Sequence, residues 1–179
     1  MFYKNENIKN SKLDNKKILY FSTDLNFPYH LNCLNFIYEY TFLITGKFCS
    51  KEKIKDLFIE YKLDKVLTKN PNKLSSGEKK KLIILLAEIS QPELLILDEP
   101  DSNLDIFSRK FIYEKLIYFK KNGTTIIIAT HIIESIENII DYAFIIKDKK
   151  IVFNDFISKR NTLLEKVNSI YGRKFKEES

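Results

Sequence analysis

The chain has no tryptophan, one methionine, four glycines and two cysteines in 179 residues. Cys33 and Cys49 lack metal-like spacing, which argues against a zinc site and for a reduced, cytosolic chain. No apolar run approaches the roughly 18 residues of a membrane span. The longest candidates, residues 82–87 and 126–129, read as core. Residues 1–17 hold no apolar stretch of the secretory kind, so no export signal is expected. The scarcity of glycine matters most. A loop that wraps phosphates needs G-x-x-x-x-G-K-[ST], so that backbone amides can approach the anion and a lysine can neutralise it. Among Gly46, Gly77, Gly123 and Gly172 only Gly46 precedes a lysine. The upstream glycine position is Thr41 and the position after Lys47 is Phe48. These residues contain no such loop.

Hydrophobic residues make up 44% of the chain, enough for one globular domain with a sizeable core. The net charge is +6, but the lysines are interleaved with acids along the chain. That pattern is a solvated surface, and no nucleic-acid partner is expected from it.

Residues 1–17 read as a polar leader with a disordered composition. A short apolar run at 17–22 fits a strand. Residues 25–43 carry Phe27, Tyr29, Phe36, Tyr38, Tyr40 and Phe42, and read as a loop through Pro28 followed by a helix. Ser50 can cap a helix whose apolar face is Ile54, Leu57, Phe58 and Tyr61, spaced i, i+3, i+4, i+7. Asn70-Pro71-Asn72 breaks the chain. Ser75-x-x-Glu78 is a capping-box pattern that opens a helix to about residue 90. Residues 94–97 are an unbroken apolar run, expected of a strand buried on both faces of a parallel sheet. A helix follows over about 107–121, ending at Asn122-Gly123. Residues 125–129 predict a second buried strand, and 132–140 a helix. Apolar segments at 144–146 and 151–153 flank Lys147-Asp148-Lys149-Lys150 as a hairpin. A final helix from about 157 places Leu163, Leu164, Val167 and Ile170 on one side. Strands alternating with helices make the class α/β.

Four groups carry chemistry. The strand at 94–97 ends in Asp98-Glu99-Pro100. At the carboxyl end of a parallel strand, side chains reach the crevice where ligands bind. There an aspartate can hold Mg²⁺ and a second carboxylate can polarise a water. Alone, the pattern is also an ordinary polar turn after a strand. Leu74-Ser75-Ser76-Gly77-Glu78 places a helix N-terminus, with free N–H groups and a positive dipole end, where an anion could sit. Alone, it is a capping box. Ser102-Asn103-Leu104-Asp105 is a polar turn, and Thr130-His131 follows the second buried strand.

In this order and spacing the four groups resemble the ATP-binding cassette of ABC transporters, over about residues 18–155. The resemblance implies a P-loop NTPase-like parallel sheet with a helical subdomain at about 31–90, lacking the N-terminal strands, within a partial ATPase domain at 18–156. A C-terminal helix and tail at 157–179 would follow. It implies that Asp98 binds Mg²⁺, directly or through water, and that Glu99 is the catalytic base. His131 would contact the γ-phosphate. Leu74 to Glu78 would be the signature that closes over ATP held by a second cassette. Ser102 to Asp105 would be the D-loop at that dimer interface. Thr23 falls where the Q-loop glutamine is expected, with weak access to the metal. Ser76 and Glu78 replace the usual Gly and Gln, and Lys149 replaces the usual hairpin glycine. Gly46-Lys47 lies after the Q-loop position, whereas a family P-loop precedes it.

The implied function is the ATP-binding subunit of an ABC transporter, with ATP and Mg²⁺ as cofactors and a membrane permease and a second cassette as partners. It would lie in the cytoplasm, on the inner face of the membrane. Two alternatives account for the missing phosphate loop. One is a non-catalytic cassette partner that lends its signature to ATP held elsewhere. The other is an inactive truncated remnant. An ATPase acting on ribosomes or DNA would bring a second cassette or long coiled coils, which the sequence lacks.

Overall fold

The computed structural model describes residues 2–3, 6–7, 18–22, 24–158 and 162–172. The chain divides into two compact units, Met1–Thr130 and His131–Ser179. The predicted Q-loop position, Thr23, lies outside the described residues, as does most of the leader.

In the first unit β1 (Phe2–Tyr3) and β2 (Glu6–Asn7) pair antiparallel. β3 (Ile18–Phe21), β4 (Leu94–Asp98) and β5 (Thr125–Ala129) form a parallel sheet with β4 in the middle. Ile18 faces Leu94, which in turn faces Thr125, and Asp98 faces Ala129. The expected burial of these strands on both faces needs correction. Leu95 and Leu97 are buried, whereas Leu94 and Ile96 on the other face are half-buried. β5 is an edge strand among the described residues, and Ile127 is 52% exposed. An apolar run reports what a strand can bury, but the neighbours decide what it does bury.

Helix α1 (Cys33–Thr45) starts at Asn32, whose side chain accepts from Asn35 N–H at 2.8 Å. It ends at Gly46 with φ 73°, a left-handed conformation that glycine adopts without Cβ strain. Gly46 is therefore a helix stop and not part of a phosphate loop. Helix α2 (Lys51–Glu60) is capped by Ser50 and buries Ile54 and Phe58 fully, with Leu57 half-buried. Asn70-Pro71-Asn72 enters a 3-10 turn, Pro71–Lys73, whose asparagines staple the loop before α1. Asn70 donates to Tyr29 O at 2.8 Å and Leu31 O at 3.0 Å, and Asn72 donates to Phe27 O at 2.8 Å.

Helix α3 (Ser76–Ser90) is the core helix of this unit, and Leu82 to Ala87 are all buried. It packs on α1 and on α4 (Ile106–Lys121). The last turn of α4 gives way at Asn122, and Gly123 takes φ 89°.

In the second unit the helix predicted over 132–140 is a single turn, α5 (Ile133–Ile136). Its N-cap residue Ile132 makes no side-chain capping bond. The β-branched isoleucines at 132, 133, 136, 139 and 140 resist extending the helix. β6 (Tyr142–Lys147) and β7 (Lys150–Phe156) form the expected hairpin. Its two turn residues, Asp148 and Lys149, have φ 50° and 61°, as a type I′ turn demands. α6 (Leu163–Tyr171) is capped by Thr162 and buries Leu163 and Val167. Glu137 accepts from Leu164 N–H at 3.0 Å, tying α6 to the segment after α5. No helix among the described residues is long and apolar enough to cross a membrane.

Candidate functional site

β4 carries Asp98 as its last residue, and the chain then turns sharply. Glu99 takes φ 48°, unusual for a residue with a Cβ. Such strain persists only where surrounding bonds impose it. The Glu99 N–H donates to Ala129 O at 2.8 Å, extending the β4–β5 pairing by one bond. One carboxylate oxygen of Glu99 is buried. The Glu99 carbonyl accepts from Lys80 Nζ at 2.8 Å and from Ser102 Oγ at 3.1 Å. Lys80, from α3, also donates to Ser102 O at 2.5 Å and Ser102 Oγ at 2.9 Å. Burial pulls this ammonium below the usual lysine range, and the Asp101 and Glu99 carboxylates oppose that shift.

Asp101 is fully buried and accepts from Tyr113 Oη at 2.6 Å and from Thr130 Oγ1 at 2.9 Å. The acidic turn is thus tied to α3, to α4 and to the end of β5. Leu104 is buried, and Asp105 caps α4 by accepting from the Phe107 and Ser108 N–H groups at 2.9 Å each. Asn103 has φ 56°, a conformation asparagine tolerates.

The tip of α3 forms the predicted capping box. Ser75 N–H donates to Glu78 Oε2 at 2.8 Å, and Glu78 N–H donates to Ser75 Oγ at 3.3 Å. The Ser75 N–H holds the Glu78 carboxyl below its usual range. Ser75 and Ser76 are exposed and Leu74 is buried. A Cβ on Gly77 would lie 3.5 Å from Leu104 Cδ2 and 3.7 Å from Ser108 Oγ. The tip therefore packs directly on the turn that ends at Asp105.

A cavity of about 20 Å³ is lined by Ser22, Lys80, Leu97, Asp98, Pro100 and Ile112, among others. A wider cleft of about 430 Å³ is lined by Asp24, Leu25, Asn26, Ser76, Lys79 and Lys80. No cluster of three or more His, Cys, Asp or Glu that could hold a metal occurs among the described residues. Asp98 and Ser22 line the small cavity together, and an aspartate there suits Mg²⁺, which keeps its waters and takes substrate oxygens as its other ligands. His131 is exposed and opens the second unit.

The structure thus brings Leu74 to Glu78, Asp98, Glu99 and Ser102 to Asp105 into one unit. Three further members of the site, Lys80, Asp101 and Tyr113, were missed in the sequence. Lys80 sits in a run of three lysines that reads as solvated surface. Its one signal is its place on the apolar stripe of α3, at i, i+3, i+4 and i+7 with Ile83, Ile84 and Ala87.

A family described as "AAA domain, putative AbiEii toxin, Type IV TA system" matches residues 17–137. A putative ABC transporter ATP-binding protein of Mycoplasma pneumoniae is 33% identical over 135 residues, covering 72% of this chain and 40% of the relative. Nod factor export ATP-binding protein I of a Rhizobium species is 36% identical over 91 residues, covering 51% of this chain and 30% of the relative. The chain spans less than half the length of these curated relatives. The solved ATP-binding subunit of an ABC transporter superposes with a TM-score of 0.69 at 22% identity, covering 88% of this chain and 63% of that one. An ATP-binding cassette in its ADP conformation gives 0.68 at 18% identity, covering 97% and 73%.

Proposed function

The chain belongs to the ATP-binding-cassette ATPases, within the AAA-type family that matches most of its length, and on that premise we propose that it acts as the ATP-binding subunit of an ABC transporter. The observation that carries this is the strained Glu99 turn at the end of β4, packed against the capped tip of α3. In this reading Asp98 holds Mg²⁺, Ser22 lines the same small cavity, and Thr23 keeps the weak metal role that its Q-loop position implies. Bound Mg²⁺ would supply charge neutralisation at the phosphoryl oxygens. Glu99 orients the attacking water and accepts its proton. The resemblance assigns the γ-phosphate contact to His131. The α3 tip and the turn ending at Asp105 face ATP held by a second cassette, whose phosphate the N–H groups of Ser76 and Gly77 can approach.

A permease partner is supported by the aromatic group on α1, in the stretch proposed as the helical subdomain. Tyr38 and Phe42 stack on Phe48, with ring centroids 4.8 Å and 4.2 Å apart, and Phe48 is 58% exposed. Such a partner would place the chain on the cytoplasmic face of a membrane.

A second reading has its own support. The 179 residues contain no G-x-x-x-x-G-K-[ST], so the grip on the phosphates must come from outside this stretch. The chain would then lend Ser75 and its neighbours to ATP bound elsewhere. The test is Mg-ATP hydrolysis by the chain alone and mixed with a cassette from the same cell that carries a phosphate loop. In the first reading Glu99→Gln removes about 100-fold or more of the rate. In the second, Ser75→Ala lowers the mixture's rate while Glu99→Gln does not. Melting curves correct for the roughly 1 kcal/mol that loss of the Ser75 cap costs. Absence of Mg-ATP binding and hydrolysis in every mixture refutes both.

A further inference from the structure

We propose that Lys80 is a positioning residue that fixes Glu99 through its main chain and so couples the tip of α3 to the carboxylate turn. The proposal rests on the functional reading above only in taking Glu99 as the base. Lys79, Lys80 and Lys81 follow one another, yet Lys80 is only 9% exposed. Its ammonium meets the Glu99 carbonyl, the Ser102 carbonyl and the Ser102 hydroxyl at 2.8, 2.5 and 2.9 Å. Three acceptors separated by three residues can converge on one cation only if the chain between them folds back. That fold is the turn in which Glu99 takes φ 48°.

Without the ammonium, the Glu99 and Ser102 carbonyl oxygens would converge on one part-buried spot with no cation between them. Their mutual repulsion, and the strain at Glu99, would open the turn. The Glu99 side chain leaves the same Cα, so any relaxation of φ swings the carboxylate.

The other flank of the turn is held independently. Asp101 has no exposure, and Tyr113 of α4 and Thr130 at the end of β5 both donate to it. The turn is therefore gripped by a cation from α3 on one side and by two hydroxyls on the other. Gly77 and Leu104 pack at the same interface. A displacement of α3, driven by an anion at its tip, is handed to the Glu99 carbonyl through one side chain. Lys80 touches no substrate in this scheme. It acts through the backbone of Glu99.

The test is amide hydrogen exchange by NMR on the ¹⁵N-labelled chain. Two reporters lie in the turn: Glu99 N–H, bonded to Ala129 O, and Ser102 N–H, bonded to Glu99 O at 3.3 Å. In Lys80→Met both should exchange about tenfold faster, a local opening rather than a global one. Residues 95–97 and 85–87 should change by less than about twofold on the same scale. Lys79→Met should leave the reporters unchanged, and Lys80→Gln, which keeps a donor on the same path, should restore part of the protection. Unchanged reporters in Lys80→Met, or a uniform loss of protection, overturn the proposal. If Lys80→Met does not fold, the parent chain decides. A slowly exchanging Lys80 ammonium with scalar couplings across its hydrogen bonds to the Glu99 and Ser102 carbonyl carbons supports the clamp, and a fast, averaged signal refutes it. In a hydrolysing mixture Lys80→Met should lower kcat with KM unchanged. A parent chain with no ATPase in any mixture would count against the functional reading, while the exchange data still judge the clamp.

Discussion

Lys115→Met should destabilise the first unit by about 3 kcal/mol. Lys115, on α4, donates to Glu88 of α3 at 2.8 Å and makes a second, very short contact to Glu60 at the end of α2. Tyr61 Oη donates to the same Glu88 oxygen. The ammonium also lies 4.7 Å from the centroid of the Tyr61 ring. The side chains of Lys115 and Glu88 are 13% and 17% exposed, so their charges are largely desolvated, while Glu60 at 53% is not. Removing one partner of a buried pair costs about 3–5 kcal/mol, because the other charge stays behind. The cation–π contact adds about 1 kcal/mol. Residual exposure and the weak Glu60 arm bring the sum down to about 3 kcal/mol.

Urea unfolding is the assay, and a melting shift of about 6–12 °C should accompany it. Burial lowers the Lys115 pKa, but its bonds to Glu60 and Glu88 outweigh this, and the net shift is upward. The stabilisation is therefore complete below the ordinary lysine value of 10.5 and is lost as pH rises through the raised one. A measurement at neutral pH sees all of it. The double variant Lys115→Met with Glu88→Leu should cost less than the sum of the two single variants, since it leaves no orphaned charge in the buried pair. A single-variant cost under about 1 kcal/mol, or a double variant that simply adds, would refute this account.

Two smaller tests follow. Cys33 is fully buried, and burial pushes its thiol up to about 11, whereas Cys49 is half-buried. At pH 8 a disulfide reagent should modify Cys49 quickly and Cys33 only on unfolding, and two fast equivalents would contradict the core assignment. Glu78→Ala should cost about 0.5–1 kcal/mol through loss of the capping box. Because the Glu78 carboxyl is held below the ordinary value of 4.5, its contribution is present above that value and lost as pH falls through the lowered one. Parent and variant should converge in acid, and a gap that persists at pH 2 would point to packing instead.

Much of the fold was legible because its signals are local. Ser50, Ser75 with Glu78, and Asn122-Gly123 mark helix ends through bonds within four residues. The hairpin turn was legible too, although Asp148 and Lys149 reach positive φ without glycine. What failed depended on distant partners. Residues 125–129 have the composition of an interior strand, but the sheet among the described residues ends there. The isoleucines of 132–140 are equally apolar in helix or turn, and only one turn is helical. In the candidate site, Asp98 and Glu99 stand out in the sequence by their place after an apolar run. Asp101 does not, since nothing within a few residues tells an inward carboxylate from a third acid in a polar turn. Its partners lie 12 and 29 residues away.

The α3 tip shows how one substitution can alter a site without altering its fold. A helix N-terminus offers an anion its first unbonded N–H groups and the positive end of its dipole. Here Glu78 returns to bond Ser75 N–H at 2.8 Å and places its own carboxylate against that dipole end. The interaction stabilises the helix, and for the same reason competes with an external phosphate for the same field. Lys79 and Lys80 line the adjoining cleft, but Lys80 spends its donors on Glu99 and Ser102. Lys69 and Lys81 are the cations that offset Glu78. A phosphate arriving at this tip therefore meets a competing carboxylate that nearby lysines already offset, and the Ser76 and Gly77 amides are the groups that can bond it directly. Attraction of that kind is short-ranged and directional, felt only once the anion is seated, and it is better suited to closing over a nucleotide held by another subunit than to capturing one from solution.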